Sequence, residues 1–234
     1  MARASDALQY LAAFADRRRD PSGKKEAVLQ TAVQMFIEKG YRQTSLDDVA
    51  KKLKITKPAL YYYFHNKEEI YLECYRRGIA VTQQSLDQIR SHQGSGLEKV
   101  AGFIQRYTVI IAKDFGRFLV RQDDRELSAK AQAEVRAEKR KIDQTLRSFI
   151  EQGIEDGSIR DCSVRLASFS LAGAIHSLAS WFEPGGTLTA EQVASEFAQT
   201  LTQGLANRRT AKLRVPDFQP VEIQPKLSHG ELRS

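Results

Sequence analysis

Apolar residues recur along most of the chain at the three-to-four-residue spacing of one helical face, and nowhere alternate long enough for a sheet. Ala27, Val28, Val33, Phe36 and Ile37 predict a helix over 27–39, closed by Gly40 in the left-handed position that ends many helices. Thr44-Ser45-Leu46-Asp47 reads as a capping box, with Thr44 accepting from an early backbone N–H and Asp47 reaching back. It opens a short helix with Leu46, Val49, Ala50 and Leu53 inward. Thr56 is the expected cap of the next helix, Pro58 fits its first turn, and Leu60 and Phe64 share its buried face. Asn66 then caps a longer helix carrying Ile70, Leu72, Tyr75 and Ile79. Two short helices joined by a tight turn near Lys54-Ile55, with longer helices on either side, make a helix-turn-helix arrangement.

Helical spacing continues downstream. After the turn at 91–96, Val100, Phe103, Ile104, Tyr107, Ile110 and Ile111 form one stripe. Ile142, Leu146, Phe149, Ile150 and Ile154 form a second, which stops at Gly157. The segment 166–182 is uncharged and apolar on most sides, so one core face cannot satisfy it. Thr189-Ala190-Glu191-Gln192 is a capping box opening a last helix over 191–207, with Val193, Phe197, Leu201 and Leu205 on one face. The expected fold is all-α: a three-helix head followed by a larger helical domain. The division is 1–20 as a basic arm, 21–67 as the head, 68–210 as the larger domain, and 211–234, with Pro216, Pro220 and Pro225, as a tail.

Charge sharpens this division. Of the 234 residues, the first 67 hold 13 Lys and Arg against 7 Asp and Glu, whereas 68–210 hold 19 of each. Nearly all of the net +7 therefore lies at one end, which suits a polyanion partner there and another task beyond it. The segment 166–182 carries several serines and His176, so it reads as a buried helix and not a membrane span. The start of the chain lacks a signal-peptide pattern, and the two cysteines, Cys74 and Cys162, suggest no disulfide framework. A cytoplasmic protein without a membrane partner is expected. His65, His92, His176 and His229 are not spaced as metal ligands, and no nucleophile–base pair or glycine-rich phosphate loop is visible. Neither an enzyme nor a bound metal or cofactor is expected.

The segment Thr44–Lys67 resembles the tetracycline-repressor (TetR) family of transcriptional regulators. The resemblance rests on Thr44-Ser45-Leu46-Asp47-Asp48-Val49-Ala50 and on Ile55-Thr56-Lys57-Pro58-Ala59-Leu60-Tyr61-Tyr62-Tyr63-Phe64-His65-Asn66-Lys67-Glu68-Glu69. Ala32, Phe36 and Gly40-Tyr41 sit where the family's first helix and its terminating glycine would lie. It departs from the family at Lys54, where the turn often has glycine. The resemblance implies double-stranded DNA as partner. Lys57 would reach a base edge such as guanine O6/N7, and Pro58 and Ala59 would touch thymine methyls. Tyr61 would meet backbone or base, Tyr62 and Tyr63 phosphates, and Thr56 would sit at the same helix end. Thr44 and Lys67 would anchor phosphates at helix N-termini. Lys24 and Lys25, read as preceding the first helix, would follow the backbone or belong to a solvated arm. Packing against neighbouring helices is the alternative role for the tyrosines.

A recognition helix of two turns reads few base pairs, so such proteins work as two-fold homodimers on palindromes. The expected dimer surface pairs 166–182 with the last helix through Leu171, Ile175, Leu178, Phe197 and Leu201. For an apolar small-molecule effector the candidate lining is Phe103, Tyr107, Phe149, Phe169 and His176. The basic stretch Arg117, Arg121, Arg125, Arg136, Lys139, Arg140 and Lys141 reads mainly as solvated faces. It could also cradle the phosphates of an acyl-CoA, to which similar regulators respond. The working reading is a ligand-released repressor; the alternative is a small-molecule-binding protein of this fold that acts without DNA.

Overall fold

The computed structural model describes residues 21–121 and 123–203. The arm at 1–20, the tail at 211–234 and the expected end of the last helix at 204–207 lie outside the described residues. Among the described residues nine helices occur and no strand. They are α1 (Pro21–Lys39), α2 (Leu46–Lys52), α3 (Lys57–Tyr61), α4 (Lys67–Arg90), α5 (Gly96–Ala112), α6 (Asp114–Arg121), α7 (Ala129–Glu155), α8 (Val164–Trp181) and α9 (Ala190–Gln203).

Local chemistry sets most of these ends. Gly40 closes α1 at φ 85° and Gly157 follows α7 at φ 75°, both in the region that costs glycine least. Thr56, Asn66, Ser95, Ser128 and Ser163 each accept a backbone N–H at a helix start. Thr189 and Gln192 form the expected reciprocal cap of α9. The cap of α2 is shifted by one residue from expectation. Ser45, not Thr44, accepts from the backbone N–H of Asp48, while the Asp48 carboxylate accepts from the backbone N–H of Ser45. Thr44 instead turns inward, its hydroxyl donating to the Gly40 carbonyl at 2.9 Å. Helix α1 also starts six residues before the apolar pattern does, which places Lys24 and Lys25 inside it.

In the head, α1 packs on α2 and α4 through Val28, Ala32, Phe36, Val49, Leu60, Phe64 and Ile70. The head and the larger domain share one continuous core, because α4 runs through both and α6 packs against α1. Phe36 of α1, Tyr71 of α4 and Phe118 of α6 form the aromatic joint, with Tyr71 and Phe118 ring centroids 4.7 Å apart. Helix α6 lies where the sequence suggested only a basic stretch. Its Arg117 is buried and donates to the Phe182 carbonyl at 3.0 Å, tying the end of α8 to α6, so it is not available to phosphates. A β-carbon on Gly78 of α4 would fall 2.8 Å from Leu119 Cγ, so α6 approaches α4 where glycine leaves room.

Candidate DNA-reading surface and regulatory cavity

Helix α3 owes its orientation to two buried anchors. Leu60 and Phe64 are fully buried, which turns Lys57, Pro58 and Tyr61 outward and leaves Ala59 half-covered. Tyr62 is 79% exposed, while Tyr63 is half-buried against the core with its ring 5.1 Å from that of Tyr62. Exposing two large rings and a lysine on one short helix costs burial that a solitary protein has reason to keep. The turn before it is kept despite Lys54, which adopts φ 55° where glycine would be easier.

The charged groups nearby are already engaged. Lys57 Nζ lies 2.8 Å from Asp47, whose hydrogen bond and charge hold the lysine pKa above its ordinary value. Lys67 Nζ donates to the Tyr41 carbonyl at 2.8 Å and sits 4.2 Å from the Tyr41 ring centroid. Burial holds the Lys67 pKa below its usual value. The ammonium thus closes the turn after α1 from within. The phosphate contacts expected of Thr44 and Lys67 therefore lack free side-chain groups, and the exposed hydroxyl at the head of α2 belongs to Ser45. Lys24 and Lys25 lie half-buried on α1, with Lys25 Nζ 5.3 Å from the centre of the Phe64 ring.

A cavity of about 330 Å³ opens in the larger domain, walled by α4, α5, α6, α7 and α8. Phe103, Tyr107 and His176 line it as expected, joined by Tyr75, Ile79, Leu119, Val120, Ile142 and Leu146. The lining is mostly apolar, with Lys139, Asp143, Tyr107 and His176 as polar members. Tyr107 Oη lies 3.3 Å from His176 Nε2. Loss of water on that side, with Lys139 nearby, keeps the His176 pKa below its ordinary value, and burial pushes the Tyr107 phenol upward. Phe149 and Phe169 do not line the cavity. Phe149 is packed within the core, and Phe169 is 50% exposed between the guanidinium groups of Arg147 and Arg165, 5.4 and 5.5 Å from its centre. The missed members were the inward residues of α4, α6 and the middle of α7. A helical stripe shows that such residues are inside but not that a void lies among them.

The residues expected at a dimer surface differ in how far their own subunit covers them. Ile175 and Leu178 are fully buried within the subunit, and Leu171, Phe197 and Leu201 are partly covered by its own core. The apolar side chains that α8 presents outward are Leu166, at 65% exposure, Phe169 and Trp181, with Gly173 between them.

The signature described as "Bacterial regulatory proteins, tetR family" matches residues 28–74, and "Tetracyclin repressor-like, C-terminal domain" matches residues 93–205. The chain belongs to the TetR family. It is a helix-turn-helix transcriptional regulator and not an enzyme. The repressor KstR2 of Mycolicibacterium smegmatis is 26% identical over 200 residues, covering 84% of this chain and 98% of its own. The regulator PfmR of Thermus thermophilus is 27% identical, with a TM-score of 0.70 over 77% of this chain and 99% of its own. AibR, whose structure holds isovaleryl coenzyme A and operator DNA, shares the fold at a TM-score of 0.68 and 23% identity, over 75% of this chain and 97% of its own. No described helix is long and apolar enough to cross a membrane.

Proposed function

We propose that this regulator is a cytoplasmic repressor that binds a palindromic operator as a homodimer and leaves it when an apolar effector fills the α4–α8 cavity. One observation carries the DNA reading: Leu60 and Phe64 hold α3 so that Lys57, Pro58, Tyr61 and Tyr62 are exposed together on the basic end of the chain. Lys57 would leave Asp47 for a guanine edge, and Pro58 and Ala59 would meet thymine methyls. Tyr61 would touch backbone or base, and Thr56, Tyr62 and Tyr63 would flank the phosphates, with Ser45 in the place first given to Thr44. Lys24 and Lys25 would add non-specific attraction.

An acyl-CoA thioester is the effector class that suits the cavity: an apolar chamber for the acyl group, with the cation Lys139 in its wall. In AibR the same fold accommodates isovaleryl coenzyme A, and the KstR2 relatives are named repressors, which supports both halves of the reading. The dimer would form through the outward face of α8, where Leu166, Phe169 and Trp181 lack cover within the subunit and small Gly173 permits close approach.

The test is Lys57→Ala in the full chain. Its affinity for an operator selected from genomic fragments should fall by about 1–3 kcal/mol relative to wild type, with unchanged folding. Affinity should also decline steeply with added salt. Unchanged affinity in the variant would remove Lys57 from the reading surface.

A further inference from the structure

We infer that Lys139 is a switch between two anions. In the ligand-free protein it holds Asp124; when an effector with an anionic group enters the cavity, it turns to that group and releases the 123–128 loop from its hold on the DNA-reading head. This rests on the proposed repressor reading and specifies how its cavity would be coupled to DNA.

Lys139 lines the cavity, and its ammonium lies 3.5 Å from the Asp124 carboxylate. Asp124 belongs to the segment that joins α6, which supplies Leu119 and Val120 to the cavity wall, to α7, which supplies Lys139 and Ile142. The same segment carries the contacts that reach the head. Glu126 pairs with Arg42, in the turn between α1 and α2, at 3.9 Å. Ser128 gives its backbone N–H and its hydroxyl to the two oxygens of Glu68, in the first turn of α4, at 2.6 and 2.7 Å. Below these, Arg76 forms a two-point ion pair with Glu134 and the Tyr75 hydroxyl donates to the Val135 carbonyl. Helices α4 and α7 are therefore bound side by side over their first turns, with the loop seated on the end nearest the head. Helix α4 in turn begins three residues after the Phe64 that anchors α3.

The cavity wall is otherwise apolar except for Asp143, Tyr107 and His176, so Lys139 is the fixed positive charge available to an anion there. An incoming carboxylate or phosphate competes directly with Asp124 for it. Asp123 keeps its own partner Arg125 at 2.6 Å, so Asp124 alone would be left without its cation. Losing that pair removes the tie between the loop and α7 and favours a changed loop. Because a ligand shifts an equilibrium only by its differential affinity, the competition for one ammonium is what makes effector and DNA exclude each other.

Two measurements test this on the whole 234-residue chain. In the first, Asp124→Asn and Lys139→Met are compared singly and together. Each should weaken binding to a selected operator by about five-fold or more. The double variant should be no weaker than either, and Asp124→Lys with Lys139→Asp should restore binding. Amide hydrogen exchange of 124–128 should quicken in both single variants, a readout that needs no DNA. Wild-type exchange rates in both variants, or additive losses, would overturn the switch. A wild type that binds no duplex would instead overturn the repressor reading, while exchange still decides the switch.

In the second, decanoate and decanoyl-CoA are added to wild-type protein on operator, with decanol as the uncharged control. Release by either acid but not by decanol, and its loss in Lys139→Met, is expected; which acid acts tells a carboxylate from a CoA phosphate as the anion. Equal release by decanol, or undiminished release of the Lys139→Met variant, would overturn the assignment.

Discussion

Thr44 and Ser45 are adjacent residues with opposite fates: one hydroxyl is buried under Gly40 and the other is exposed as the α2 cap. Either could cap by chemistry alone, and the choice follows from which hydroxyl can also satisfy the carbonyls left open at the end of α1. Lys57 and Lys67 diverge in the same way. Both are cations on the head, yet Lys67 is spent on the Tyr41 carbonyl while Lys57 is held only by a carboxylate that is itself exposed. His176 makes a prediction at this scale. Its folded pKa lies below the ordinary 6.5, so the unfolded chain binds the proton more readily. The sign follows: the stability its neutral ring contributes is present above about pH 6.5 and is lost as pH falls through and below that value. Urea unfolding between pH 7.5 and 5.5 should show a steeper acid loss in wild type than in His176→Gln. Parallel profiles would show that His176 is solvated in the folded state.

Among elements, the turn between α2 and α3 sets where the reading helix points. The chain meets its left-handed requirement with Lys54 at φ 55°, a conformation that costs a side chain-bearing residue about 1 kcal/mol or more. Lys54→Gly should therefore raise stability by about 1 kcal/mol, less whatever glycine adds to the freedom of the unfolded chain. Denaturant titration checks it, and a loss of stability would mean that the lysine stem makes contacts worth more than the strain. The close approach of α6 to α4 at Gly78 is the other decisive element contact, because it places the cavity wall directly on the helix that leads to α3.

For the whole molecule, the proposed dimer rests on the outward face of α8. Leu166, Phe169 and Trp181 are large apolar side chains exposed on one helix, which calls for a covering partner. Phe169→Glu tests the face gently, since a carboxylate between Arg147 and Arg165 would find ion pairs within its own subunit. Sedimentation should show a dimer for wild type and a monomer for the variant, with helical content unchanged by circular dichroism. A dimeric variant would place the interface elsewhere. Two-fold pairing also matters for DNA, since one short helix reads too few base pairs for specific binding.

Sequence alone determined the helical class, the helix-turn-helix and the inward Leu60 and Phe64, because these depend on spacing within one or two turns and on caps a few residues away. It grouped Phe103, Tyr107 and His176 only together with Phe149 and Phe169, which lie elsewhere, because an apolar helical face does not tell which of its residues meet. Tertiary structure decided the rest. Whether a core side chain touches a neighbour or a void, as Phe149 and Leu146 divide, depends on how several helices cross, which no local pattern encodes. The same holds for α8: periodicity showed an excess of apolar surface, but only packing determined that Ile175 and Leu178 face the subunit's own core and Leu166 and Phe169 face outward. Long-range ion pairs such as Lys139 with Asp124 and Arg42 with Glu126 were invisible for the same reason, because charge opposite charge acquires meaning only when the fold brings the two together.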